Sequence, residues 1–240
     1  MLNRLHEALE AEQTARIITI TTEDQIARIA DFAPYAEAAE LRGDLLPSQD
    51  PGYLAEQAAK VAEHLGVLFT LRSASEMGEW RGSYDQKLAI IDAVLPLVDG
   101  VDTETFSPRT TDLVAHIRAS GLIAISSYHE FDNMSADMDG LDGVVEVALD
   151  AQKADFSKLA IMTNTPAIAG ALIDYSSHAR RNTIVMGMGI CGKLTREDAI
   201  RRGHPAVYIS PVLPGEGQLV VRGQLNYLEA EALILTNGRL

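Results

Sequence analysis

Short apolar, β-branched runs alternate with helix-compatible runs along nearly the whole chain. Eight such runs can be counted, at 16–21, 38–46, 67–73, 101–106, 122–129, 156–162, 183–186 and 206–210. Each is followed by a helix or a stretch that can form one. Parallel neighbours need a crossover of a dozen or more residues, usually a helix, so this alternation predicts a parallel sheet. Eight βα units in 240 residues is the arithmetic of a single (β/α)8 TIM barrel. An open, doubly wound sheet has the same periodicity and stands as the alternative. No linker, low-complexity segment or repeat divides the chain, so residues 1–240 read as one barrel domain, with 1–14 a short polar helix or a mobile lead-in. Residues 195–202 read as a helix with Thr195 as its N-cap, and 224–235 as a closing helix.

The sixth run, Phe156-Ser157-Lys158-Leu159-Ala160-Ile161-Met162, carries an ammonium group inside an apolar strand. Such a lysine must pair, snorkel to an edge, or sit desolvated in a site. Desolvation lowers a lysine's pKa and makes its amine a nucleophile toward carbonyls. The plainer alternative is a lysine at a strand end with its head in water. Of the five lysines, Lys60, Lys87, Lys153, Lys158 and Lys193, this is the one set in a strand. Lys193 sits in a glycine-rich loop and is expected to be exposed.

In a barrel the active site lies at the C-terminal ends of the strands. The polar residues there are Glu40 and Arg42 on strand two, Arg72 on strand three with Glu76 in the loop beyond, His129 on strand five and Lys158 on strand six. Arg196 follows strand seven and Gln218 follows strand eight. Glu40, Arg42 and Asp44 alternate, and period two would put all three on one face. Three arginines, a lysine and a histidine thus converge in a chain whose net charge is −14. That charge argues against nucleic acid and against an anionic membrane surface, both of which are met with Lys and Arg. Locally, the convergence describes a pocket for a small anionic substrate with a carbonyl within reach of an amine. The lone Cys191 excludes an internal disulfide and there is no CxxC pair, so no metal site is expected. The first twenty residues lack a signal-peptide core and no window nears the roughly 18 apolar residues of a spanning helix. A soluble, cytoplasmic protein is expected.

These residues form a pattern that resembles the type I 3-dehydroquinate dehydratases, the Schiff-base-forming dehydroquinases of the shikimate pathway. The motifs occur in family order: Ala39-Glu40-Leu41-Arg42-Gly43-Asp44, then Leu68-Phe69-Thr70-Leu71-Arg72-Ser73 with Glu76, then Ser127-Tyr128-His129-Glu130-Phe131. Asp155-Phe156-Ser157-Lys158-Leu159-Ala160-Ile161-Met162, Met186-Gly187-Met188-Gly189 with Thr195-Arg196, and Pro214-Gly215-Glu216-Gly217-Gln218 complete the series. The resemblance implies that Lys158 forms an imine with the C3 ketone of 3-dehydroquinate. It implies that His129 is the general base and acid, oriented by Glu76, and that Arg196 binds the substrate carboxylate bidentately. Glu40, Arg42, Arg72 and Gln218 would hold hydroxyls and close the site. No cofactor is implied, and a homodimer is.

The chain departs from the family pattern in three places. The glycine pair after the Glu76 position is Met77-Gly78, the residue after His129 is Glu130 rather than Asp, and the compact Ser-Ala-Pro-Gly-Gln closing segment is stretched over Ser210–Gln218. The longer loop leaves two alternatives open: an aldolase-like class I lyase acting on another hydroxylated keto acid, and a non-catalytic barrel that binds a carboxylated metabolite.

Overall fold

The computed structural model of the chain describes residues 4–11, 13–132, 138, 140–216 and 222–237. Helix α1 (Arg4–Glu10) precedes β1 (Ala15–Ile20), followed by the short helices α2 (Glu23–Ala27) and α3 (Ile29–Phe32). Then come β2 (Ala38–Arg42), α4 (Pro51–Ala62), β3 (Gly66–Thr70), α5 (Tyr84–Val94), β4 (Gly100–Glu104) and α6 (Thr110–Ala119). The second half runs β5 (Ile123–Glu130), α7 (Leu141–Glu146), β6 (Phe156–Met162), α8 (Pro166–His178) and β7 (Thr183–Met188). It ends with α9 (Gly192–Arg202), β8 (Ala206–Ser210), β9 (Leu225–Asn226) and α10 (Tyr227–Asn237).

All the ladders are parallel, in the order β7-β6-β5-β4-β3-β2-β1-β8-β9. This curled α/β sheet is the barrel fold that the alternation predicts. Its strands are buried along almost their full length, because helices cover the outside and side chains fill the inside. Helix starts follow local chemistry. Asp50 caps α4 ahead of Pro51, Thr165 caps α8 ahead of Pro166, and Ser83 with Gln86 forms a reciprocal capping box on α5.

Several boundaries differ from the sequence reading. Strand β2 ends at Arg42, and Asp44 sits in the tight turn Gly43–Leu45 rather than on the strand face. Helix α9 starts at Gly192, so Thr195 lies inside it: its hydroxyl accepts from the Gly187 N–H at 2.8 Å and donates to the Gly192 carbonyl. Helix α1 is amphipathic rather than polar: Leu5 and Leu9 are buried in a cluster with Ile17, Ala38, Leu68 and Ile125. It closes the end of the barrel opposite the site.

Inside the barrel, period two stacks one layer on another. Ala38, Leu68, Phe156 and Ile184 belong to the apolar lower cluster. Two residues farther along β2 and β6 come Glu40 and Lys158, both buried. The inward register thus passes from hydrocarbon to charge halfway up the barrel.

Candidate active site

Lys158 is 3% exposed, and its ammonium lies 3.2 Å from Asp102 Oδ2, 3.5 Å from Glu40 Oε1 and 4.0 Å from the centre of the Tyr208 ring. A cation this deep needs paired carboxylates or an aromatic face, and it has both. Asp102 Oδ1 in turn accepts from Arg72 Nη2 and from the Ser127 hydroxyl, at 2.8 and 2.7 Å. Burial works to raise the Asp102 pKa, but Arg72 and then Lys158 hold it below the usual carboxylate range. Glu40 is fixed by the hydroxyls of Thr70 and Thr19, at 3.0 and 3.2 Å. This layer neutralises itself.

His129, near the end of β5, meets Glu76 through Nδ1 at 2.7 Å from Oε2. Glu76 also accepts from Arg72 Nη1 at 3.3 Å. Burial pushes the Glu76 carboxyl up to about 8, and Arg72 only partly offsets it. Burial, followed by Arg72 and Lys158, holds the His129 imidazole well below its usual range. At neutral pH the imidazole therefore carries no charge. A histidine with one nitrogen on a carboxyl group, and the other with no partner among the described residues, is built for proton transfer.

The far side of the cavity is organised differently. Strands β7 and β8 lie side by side but share no ladder among the described residues. The Arg196 guanidinium fills this seam. Its Nε donates to the Tyr208 carbonyl on β8 at 3.3 Å, and its Nη1 donates to the carbonyls of Gly187 on β7, Gly192 and Gly223. Glycine is required for this approach. A Cβ on Gly192 would come within 2.5 Å of the Gly187 oxygen, and one on Gly223 (φ +85°) within 2.3 Å of the Gly189 oxygen. Arg196 has no carboxylate partner among the described residues, and burial alone lowers its pKa to about 10. Its Nη2 donates to no group among the described residues, and Arg196 lines the cavity. Nε and Nη1, by contrast, are engaged by carbonyls.

One cavity of about 900 Å³ is lined by Glu40, Arg42, Arg72, Glu76, His129, Lys158 and Arg196 together. Seven of the eight residues singled out from sequence converge there. Gln218 lies outside the described residues, and a different glutamine, Gln224, lines the cavity in its own Gly-Gln step.

The model of the type I 3-dehydroquinase family matches residues 15–232. The chain belongs to that family. Membership makes it a hydro-lyase. It is 29% identical over 227 residues to a 3-dehydroquinate dehydratase of Methanosarcina barkeri, covering 89% of this chain and 93% of that one. A crystal structure of 3-dehydroquinate dehydratase from Geobacillus kaustophilus superposes with a TM-score of 0.83 at 20% identity, over 95% of this chain and 92% of that one. The type I enzyme of Clostridium difficile, described with covalently modified comenic acid, gives 0.77 at 18% identity, over 95% and 94%.

Within this dehydroquinase barrel, three cavity-side residues escaped the sequence reading. Asp102 was legible in principle, since Val101-Asp102-Thr103-Glu104 places two carboxylates two residues apart on a buried strand. Tyr208 lies in the apolar run 206–210 with nothing to set it apart; its ring covers Lys158, and its hydroxyl has no partner among the described residues. Gln224 falls at the start of the closing helix expected over 224–235, whereas it precedes β9, donates to the Thr19 hydroxyl at 3.3 Å and leaves its own oxygen unpaired among the described residues. Met77, where the family pattern has glycine, takes a left-handed φ of 57°. That backbone is one glycine adopts without cost.

Proposed function

We propose that the chain converts 3-dehydroquinate to 3-dehydroshikimate through an imine on Lys158. The carrying observation is that one cavity joins a buried lysine, an uncharged histidine on a carboxylate, and a buried guanidinium with no anionic partner. The substrate carboxylate supplies the charge that Arg196 lacks. The Lys158 amine attacks the C3 ketone after passing its proton to Glu40, a carboxylate in reach, since Arg72 holds Asp102 ionised. Loss of water from the adduct leaves a protonated imine, which draws electrons from the C2–H bond. His129 Nε2 takes the C2 proton while Glu76 holds Nδ1–H and fixes the tautomer. The same proton then leaves with the C1 hydroxyl as water, and hydrolysis of the imine releases the enone and frees the lysine. Arg42, clamped by Asp44 at 2.8 and 2.9 Å, and Gln224 are placed to hold substrate hydroxyls. Arg72 and Glu40 act by holding Glu76, Asp102 and Lys158 in register. The resemblance also supports a homodimer.

The test is to add 3-dehydroquinate, follow the ultraviolet absorbance of the conjugated product, and quench an aliquot with borohydride for peptide mass spectrometry. Product with a reduced adduct on Lys158 is expected. An adduct without product would move the chemistry to another keto acid. Absence of both would leave a carboxylate-binding barrel.

A further inference from the structure

Lys87 lies on the first turn of α5, outside the cavity lining, and is 5% exposed. A lysine on a helix is ordinarily solvated, with its stem on the surface. This one points inward, and its ammonium donates to Glu104 Oε2 at 2.8 Å. Glu104, at the end of β4, is 2% exposed. Its other oxygen accepts from the Ser73 N–H at 2.6 Å. Ser73 opens the tight turn Ala74–Glu76, which is pinned again by the Gly78 N–H on the Ser73 carbonyl at 2.8 Å. Glu104 therefore grips the base of the turn that carries Glu76. It also lies 3.9 Å from Arg72 Nη1, the nitrogen that holds Glu76 Oε2 at 3.3 Å. We propose that Lys87 is a positioning residue for the Glu76–His129 pair, acting through Glu104, which it keeps anchored to the Glu76 turn and electrostatically silent.

The reasoning is one of charge balance. Glu104 is faced by Lys87 from α5, and by Arg72 and the Ser73 N–H from the end of β3. Burial opposes its ionisation, and Lys87 is the larger of the two cations that restore it. Glu76 is faced by Arg72, Glu104, Asp102, Lys158 and His129. With Lys87 absent, Arg72 and the Ser73 N–H keep Glu104 ionised, and its unbalanced negative charge makes protons on Glu76 and His129 harder to remove. Glu104 without its lysine would thus disturb chemistry that Lys87 never touches.

The proposal rests on the dehydratase reading for its kinetic arm and stands apart from it in a spectroscopic one. The full-length protein is compared as Lys87→Met, Lys87→Arg, Glu104→Gln and the double Lys87→Met/Glu104→Gln. The kinetic readout is kcat/KM against pH. The second readout, which needs no turnover, is the NMR titration of the His129 ring, assigned by its loss in His129→Gln. Lys87→Met is expected to raise both midpoints by about one pH unit and to lower kcat with little change in KM. Lys87→Arg restores both midpoints. Glu104→Gln, which strands the positive charge instead, moves them down. The double variant returns them to the wild-type position. Should Lys87→Met fail to fold, the downward shift in Glu104→Gln and its reversal in the double variant carry the test. Unmoved midpoints in the folded single variants overturn the proposal, as does a double variant that shifts like Lys87→Met. A wild-type protein that does not dehydrate the substrate removes the dehydratase reading and leaves the titration arm intact.

Discussion

The two walls of the cavity balance buried positive charge in opposite ways. On the wall made by β2 to β6, each lining cation has its carboxylate: Lys158 has Asp102 and Glu40, Arg72 has Asp102 and Glu76, and Arg42 has Asp44. On the wall made by β7 and β8, Arg196 has only carbonyl oxygens among the described residues. Dipoles compensate a charge poorly in a low-dielectric interior, which is why burial alone depresses its pKa. The first wall is complete without a ligand and serves to place reacting groups. The second lacks one negative charge and gains it when a carboxylate arrives. Reaction and recognition are thus divided between two sets of strands. Substitutions on one wall should fall on kcat and those on the other on KM.

The sharpest test of the first wall is Lys158→Ala. It should abolish borohydride-trapped adduct and lower kcat by at least about 10⁴-fold, as loss of a covalent nucleophile does. Ligand affinity should survive, because Arg196 is untouched. Loss of binding as large as the loss of turnover would break the division between walls. His129→Ala follows, with a loss of roughly 10²–10⁴-fold in kcat at nearly constant KM. The Lys158 adduct should still form in it, since the imine step does not use the imidazole.

The first wall was also the more legible in the sequence. Its residues lie in regular strands, where period two states which side chains face inward, and a charge at an inward position of an apolar run stands out at once. Lys158, Glu40 and Arg72 were found in that way. Asp102 lacks that signature: its strand, read as Val101–Phe106, carries four polar residues in a row, so no single charge stands out from an apolar run. The second wall is held by loop geometry. Nothing local in Gly223-Gln224-Leu225 says that it forms a two-residue strand beside β8, since the pairing of Ile209 with Leu225 is a contact across a long connection. Gln218 and Gln224 each follow a glycine, and nothing in the sequence marks the second as a cavity residue. Arg196 was identified by its motif, but its carbonyl cradle depends on glycines at 187, 192 and 223 meeting in space. Lys87 was read as one more helix lysine because burial on a helix is decided by what packs against it.

On the second wall, Arg196→Lys keeps the charge and loses the planar fork. Loss of one charged hydrogen bond to the substrate carboxylate should cost about 2 kcal/mol, or roughly 30-fold in KM, with kcat changed little. The same change strips donors from the seam. With about 1–3 kcal/mol lost per orphaned buried carbonyl, a Tm lower by about 5 °C is expected. A carboxylate ligand at 100 times its Kd should raise the wild-type protein's stability by about 2.7 kcal/mol and that of the variant far less. Equal thermal protection of both proteins would remove Arg196 from substrate binding and leave it as the closure of the barrel.

The smallest effect is one of pH, and it belongs to the first wall alone. His129 works as a base only when Glu76 is ionised, for a protonated Glu76 donates to Nδ1 and sends the ring's own proton to Nε2, the nitrogen that must be vacant. Burial raises the Glu76 pKa to about 8 in the empty site. Protonation of a raised carboxyl is favoured below that value, so kcat/KM, which reports the free enzyme, should rise with pH and level off above about 8, falling by about tenfold for each unit below it. Arg196→Lys should leave this limb in place, because the largest charge effects on Glu76 come from Arg72, Glu104, Asp102 and Lys158. A limb that shifts with Arg196 would mean that the two walls are electrostatically coupled, and the division of labour between them would fail.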